Sequence, residues 1–110
     1  MIHVTIFMSD RHECMGFRTS GHAEMAESGK DIVCAATSML IINTMNAIET
    51  YTDDAFSQEV DQETGMIEYH LLNRPTHDAD LLLKAMILGL EESAGSNDYK
   101  KYIKVDIEEV

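Results

Sequence analysis

The chain has 110 residues, 20 of them acidic and 8 basic, for a formal net charge of −12. That length builds one domain around a single core, and that charge repels nucleic acid and anionic membranes while attracting basic partners. The opening MIHVTIFMSDR has no basic segment followed by a long apolar run, and the later LLLKAMILGL is too short to cross a bilayer, so a soluble cytoplasmic protein is expected.

Residues 2 to 8, IHVTIFM, alternate with Ile2, Val4 and Ile6 on one side, and a polar turn leads to a second extended run over 14 to 22. In that run Met15 and Phe17 share one parity, whereas Cys14, Arg18, Ser20 and His22 share the other, which places Cys14 and His22 on the more polar face. Residues 23 to 30 read as a loop, with Gly29 near its end, and Asp31 stands where a helix N-cap belongs before IVCAATSMLIINTMNAIETY, giving a first helix over about 32 to 51. Short extended runs over 55 to 61 and 66 to 72 flank the turn residues QETG. Pro75 stops the second of these, Thr76 or Asp78 caps a second helix, DADLLLKAMILGLEES, and Gly89 is that helix's one internal weak point. After a surface loop, Ile103, Val105 and Ile107 alternate against charges in a closing strand.

The order is ββαββαβ. It predicts a single α+β domain over residues 1–110, with two long buried helices packed against an antiparallel β-sheet. The second helix is apolar nearly all round and must be covered on all sides, either by sheet or by a subunit interface.

The junction between the second strand and the first helix carries the chemistry. With Asp31 as the cap, Cys34 falls in the first helical turn beside backbone N–H groups that lack partners within the helix. The helix field there is worth roughly 0.3–1 kcal/mol to a thiolate, and a histidinium nearby stabilises it further. His22 ends the strand that feeds this helix, so the two residues belong to the same end of the domain. A cysteine–histidine pair of this kind attacks a carbonyl and returns a proton to the leaving amine, with helix N–H groups facing the oxyanion. The alternative is that Cys34 is a small buried hydrophobe and His22 a surface residue. Asp31 reads more simply as a cap than as a third catalytic group, and Ser38, one turn beyond Cys34, as a packing residue.

The residues Gly21-His22-Ala23, Ala26-Glu27, Gly29-Lys30-Asp31-Ile32-Val33-Cys34-Ala35-Ala36 and Ser38 resemble the signature of the ribosomal-processing cysteine protease family, Prp. Chain length, element order and acidity match it as well. The resemblance implies a cysteine endopeptidase with Cys34 and His22 as the catalytic pair, Asp31 and Ser38 as candidate supporting residues, and Gly21, Ala23, Glu24, Met25 and Gly29 in a substrate loop. It further implies a bacterial homodimer that removes the apolar N-terminal extension of a large-subunit ribosomal protein and exposes a basic mature N-terminus, with no cofactor. Three positions depart from the family pattern: Glu24 stands where glycine is common, Met25 where an aromatic is, and Thr37 where an aliphatic is.

Other candidates are weaker. His3, His12, His70 and His77 lie on different elements, with no His-x-x-x-His pair and no CxxC, so no metal site is expected. Two further functions compete with proteolysis. One is a non-catalytic dimeric protein that docks a basic ribosomal protein; the other is a redox sensor in which Cys34 reacts and Cys14 resolves. No direct contact with nucleic acid or membrane is expected in any of them.

Overall fold

A computed structural model describes residues 1–21 and 28–110, with the backbone alone described for Ser28 to Asp31. The elements are β1 (Ile2–Met8), β2 (Cys14–Ser20), α1 (Ser28–Tyr51), β3 (Phe56–Asp61), β4 (Met66–Leu71), α2 (His77–Gly95) and β5 (Ile103–Glu109). The five strands form one sheet in the order β3-β4-β2-β1-β5. Pairing is antiparallel except that β5 joins β1 in parallel. The connection from β1 to β5 passes through both helices, which gives the long crossover that parallel neighbours need.

Ile2, Val4 and Ile6 of β1 are buried, as their alternation predicts, and join Phe17, Tyr69, Leu71 and Ile103 beneath the helices. Cys14 is a correction. It is wholly buried rather than on the polar face, because the register of β1 against β2 steps from Phe7↔Gly16 to Met8↔Cys14 and leaves Met15 as an extra residue. One extra residue reverses the parity of everything beyond it. The turn before it is tied by Ser9, whose Oγ accepts from the backbone N–H groups of Arg11 and Glu13, both at 3.3 Å.

Gly16 lies between Phe7 and His70 in the register. Those two rings stack across it with centroids 5.2 Å apart. At φ +156° a Cβ here would sit 2.1 Å from the Tyr69 carbonyl oxygen, so only glycine fits.

Helix α1 begins at Ser28, four residues earlier than its expected start at 32, so Asp31 lies inside the first turn and is not the cap. On the other side of the core, Thr76 caps α2, its hydroxyl accepting from Ala79 N–H at 3.3 Å. Asp54 holds the cap in turn, accepting from the Thr76 N–H at 2.9 Å and from its hydroxyl at 2.6 Å. Desolvation pushes the Asp54 carboxyl up, but the bonds from Thr76 and Thr52 outweigh it and leave the pKa below the usual value. Asp80, in the first turn of α2, accepts from Cys14 N–H at 3.1 Å and pairs with Lys84 at 2.8 Å, which hooks α2 onto the start of β2.

The helices cover one face of the sheet. Val33, Ile41, Met45 and Ile48 of α1 and Ala79, Leu83, Met86, Ile87 and Leu90 of α2 point into the core. Sheet covers only this inner side. On α1 the stripe Ile32, Ala35, Met39, Ile42 is exposed, and on α2 so is Leu81, Ala85, Leu88. The span Ile32–Tyr51 has the length and mean hydropathy, 1.4, of a membrane helix. Its apolarity is accounted for here by a core face together with a second, outward apolar stripe.

Candidate active site

Strand β2 ends at Ser20, and α1 begins eight residues later, at Ser28. A connection this short sets the N-terminal end of α1 at the end of the sheet where β2 finishes and where β1 and β5 start. Gly21 makes the turn out of β2. Its φ is +82°, and a Cβ there would come 2.3 Å from the Met1 carbonyl oxygen, so both the left-handed backbone and the close approach to the first residue demand glycine. The sequence singled out Gly21 only as part of a motif; the crowding by Met1 is a tertiary fact.

His22, Ala23, Glu24 and Met25 lie outside the described residues. Gly29, expected in a loop, belongs to the first turn of α1, as does Asp31. Cys34 is therefore in the second turn. The first four N–H groups, which lack intrahelical partners, belong to residues before it, and the helix field falls off within the first turn.

Cys34 sits in register with Ile41 and Ile48, seven and fourteen residues on, on the core-facing side of α1. Its position at the helix end leaves it half-buried, packed at the margin of the core. Ser38 is exposed.

Cys14 is the opposite kind of thiol. Burial pushes it up to about 11, with the Asp80 carboxylate adding to the shift. Its Sγ lies 3.4 Å from the Gly16 carbonyl oxygen. A buried, protonated thiol is a poor partner for redox exchange, which counts against Cys14 as the resolving residue.

A cleft of about 300 Å³ opens between the first turns of α1 and the end of α2, lined among others by Ile32, Val33, Ala36, Leu40, Leu90 and Tyr99. Val33 and Cys34 are consecutive, so the cleft lies about 100° round the helix from the thiol. Gly89 forms part of its wall; a Cβ there would meet Leu40 Cδ2 at 2.9 Å. This cleft is formed by segments distant in the sequence. An isolated glycine in a helical pattern is the local signal of such close packing, so Gly89 is a contact position as well as a weak point of α2. Among the described residues no group of three or more His, Cys, Asp or Glu side chains is placed to hold a metal ion.

The family model for cysteine protease Prp matches residues 1–104. The chain is 30% identical over 91 residues to the ribosomal processing cysteine protease Prp of Staphylococcus aureus, covering 83% of this chain and 86% of that one. It is 28% identical over 109 residues to the Bacillus subtilis protein of the same name, covering 96% of each. A crystal structure of the S. aureus protease, described as an essential ribosomal processing protease in complex with a covalently linked product peptide, superposes with a TM-score of 0.87 at 27% identity, covering 98% of this chain and all of that one. The bulged hairpin, the glycine turn and the half-buried thiol at the head of α1 are thus features of a chain that belongs to the Prp family of cysteine proteases.

Proposed function

We propose that this protein is a bacterial, cytoplasmic endopeptidase that removes the N-terminal extension of a large-subunit ribosomal protein during ribosome maturation, with Cys34 as nucleophile and His22 as general base and acid. The observation that carries the reading is the position of Cys34 in a Prp-family chain: a half-buried thiol at the head of α1, joined to the end of β2 by the short segment that includes His22. The covalent product peptide in the S. aureus relative is the kind of adduct that a nucleophilic thiol forms.

In this scheme His22 takes the Cys34 proton, and the thiolate sulfur attacks the carbonyl carbon before the scissile bond. The carbonyl π electrons move to oxygen, where N–H donors near the helix start stabilise them. When the oxyanion collapses the C–N bond breaks, and His22 hands its proton to the leaving amine, which is the new N-terminus of the mature protein. Water then attacks the thioester, giving its proton to His22, and a carboxylic acid and the free thiol are regenerated. Asp31, three residues before Cys34 and so one helical turn away, and Ser38 are the candidate supporting groups. Gly21, Ala23, Glu24, Met25 and Gly29 line the approach of the substrate, and the apolar residue before the cut enters the cleft beside Ile32 and Tyr99. No cofactor takes part.

The exposed stripes Ile32–Ala35–Met39–Ile42 and Leu81–Ala85–Leu88 support a homodimer that covers the helix layer, because outward apolar stripes on packed helices are the kind of surface that subunit contacts bury.

Incubation with a peptide that spans the extension of the host's ribosomal protein, followed by intact-mass analysis, tests the reading. Two fragments whose masses sum to that of the peptide plus one water are expected, and none with Cys34→Ser. A peptide left whole by the parent enzyme would refute it.

A further inference from the structure

The acidity of the molecule is not evenly spread. Between Asp53 and Leu72 the chain has six acidic residues, Asp53, Asp54, Glu59, Asp61, Glu63 and Glu68, and no lysine or arginine. This segment contains the β3–β4 hairpin, and β3 is an edge strand of the sheet. All of β3 after Phe56 is exposed.

Its open edge can be assigned residue by residue. Leu72 N–H donates to the Ala55 carbonyl at 2.9 Å, and these two residues continue the register Phe56↔Leu71. In an antiparallel pair the hydrogen-bonded positions alternate, so Ser57, Glu59 and Asp61 bond to β4. The N–H and C=O groups of Phe56, Gln58 and Val60 therefore face outward, with no strand beside them among the described residues.

Two carboxylates meet at this edge. Glu59 and Glu68 are directly opposite in the register, an arrangement that destabilises a sheet unless a cation lies nearby. Glu68 has His70 Nε2 at 3.4 Å and stands in register with Arg18 of β2 on its other side. Glu59, on the outermost strand, has no ion pair among the described residues. Around the pair Ser57, Gln58, Glu59, Glu68 and His70 enclose a polar depression of about 270 Å³ on the face of the sheet away from the helices. The other edge is different: β5 and the residues leading into it mix Lys100, Lys101 and Lys104 with Asp106, Glu108 and Glu109.

We infer that the β3 edge is a docking site for an extended, lysine- or arginine-rich peptide segment, which adds to the sheet as a sixth strand and places one basic side chain in the depression between Glu59 and Glu68. Open backbone groups supply the affinity and the carboxylate pair the selectivity for positive charge. The direction of the segment follows from the topology. Strand β3 runs toward the end of the sheet where β2 finishes and α1 begins. A basic segment that follows the scissile bond leads away from that end, and so it lies antiparallel to β3. This last step, that the docked segment is the substrate's own leaving side, rests on the proposed function; the docking site does not.

The test uses the full chain and two labelled ten-residue probes, one with alternating lysines and one with glutamines in their place, followed by fluorescence anisotropy at low salt. The lysine probe is expected to bind more tightly than the glutamine probe. Glu59→Gln with Glu68→Gln should weaken it about five- to tenfold, and Glu108→Gln with Glu109→Gln by less than about twofold. Gln58→Pro, which removes an outward N–H and no ladder bond, should weaken both probes; if that variant does not fold, lysine probes methylated at alternate backbone nitrogens replace it. Equal losses in the two glutamine pairs would reduce the effect to net charge, and no loss in either would remove the site. Cleavage is read separately. If the parent binds the lysine probe here but cleaves no extension peptide, the docking site stands and the proposed function fails; if it cleaves with no loss of binding in the Glu59/Glu68 variant, the reverse holds.

Discussion

The two thiols of this protein are separated by their surroundings rather than by their chemistry. Cys34 sits half-buried at the head of a helix, whereas Cys14 is wholly buried and pushed up to about 11. At pH 8 iodoacetamide should therefore modify one thiol per folded chain, identified by peptide mapping as Cys34, and both only in denaturant. Cys34→Ser should abolish cleavage with an unchanged melting temperature, while Cys14→Ser, whose hydroxyl retains the Gly16 carbonyl as acceptor, should cleave normally; exchange of these two phenotypes would overturn the assignment. His22→Ala should lose most activity and slow the alkylation of Cys34 near neutral pH, since the helix field is weaker in the second turn than in the first. Cys14 also sets an alkaline limb on stability. Its folded pKa of about 11 is above the ordinary 9.0, so the folded state holds the proton more tightly, and the contribution is complete below pH 9 and lost as the pH rises through about 11. Thermal melts of the parent should fall across that window, and those of Cys14→Ala should fall less.

At the scale of elements, strand β2 is where the fold is most constrained. Gly16 is wedged against the Tyr69 carbonyl between the stacked rings of Phe7 and His70. Gly16→Ala should destabilise the protein by roughly 2–3 kcal/mol in urea unfolding. The neighbouring strand β4 carries the converse case. Tyr69 is fully buried between Phe17 and Phe56, and its hydroxyl has no hydrogen-bond partner among the described residues. Burial raises its pKa further beyond the ordinary range, with Asp54 and Glu49 adding to the shift. Removing an unpaired buried hydroxyl relieves its desolvation, so Tyr69→Phe should stabilise the fold by about 1 kcal/mol or more. A lower urea midpoint for this variant would mean that the hydroxyl does have a partner.

For the molecule as a whole, charge and outward apolar surface make separate predictions. A net charge of −12 steers basic substrates over a distance that salt screens within about 8 Å. Raising the ionic strength should therefore lower kcat/KM for a peptide with lysines after the cut while changing kcat little, and a glutamine version should show neither effect. Alanines in place of the apolar residues before the cut should harm cleavage at any salt. The exposed stripes on α1 and α2 predict a dimer, and Met39→Glu together with Leu88→Glu should convert it to a folded monomer in analytical ultracentrifugation. A parent that sediments as a monomer would mean that these stripes meet some other surface.

Much of this protein was legible in its residues alone. Period-two and helical patterns, a proline stop and a cap at Thr76 or Asp78, of which the structure selects Thr76, located all seven elements, because each depends on local geometry that a short stretch of chain determines. The motif from Gly21 to Ser38 identified the family because its residue types and spacing are themselves the signal. Other features were not local. A bulge of one residue put Cys14 in the core; the helix began at Ser28 rather than at Asp31, which moved Cys34 into the second turn. The parallel place of β5 beside β1, the crowding of Gly21 by Met1, the cleft between α1 and α2, and the facing carboxylates at the β3 edge each arise where distant segments meet. Such contacts are selected by packing of the whole core, in which register, close approach and empty space are settled together, and no window of sequence contains both sides of them.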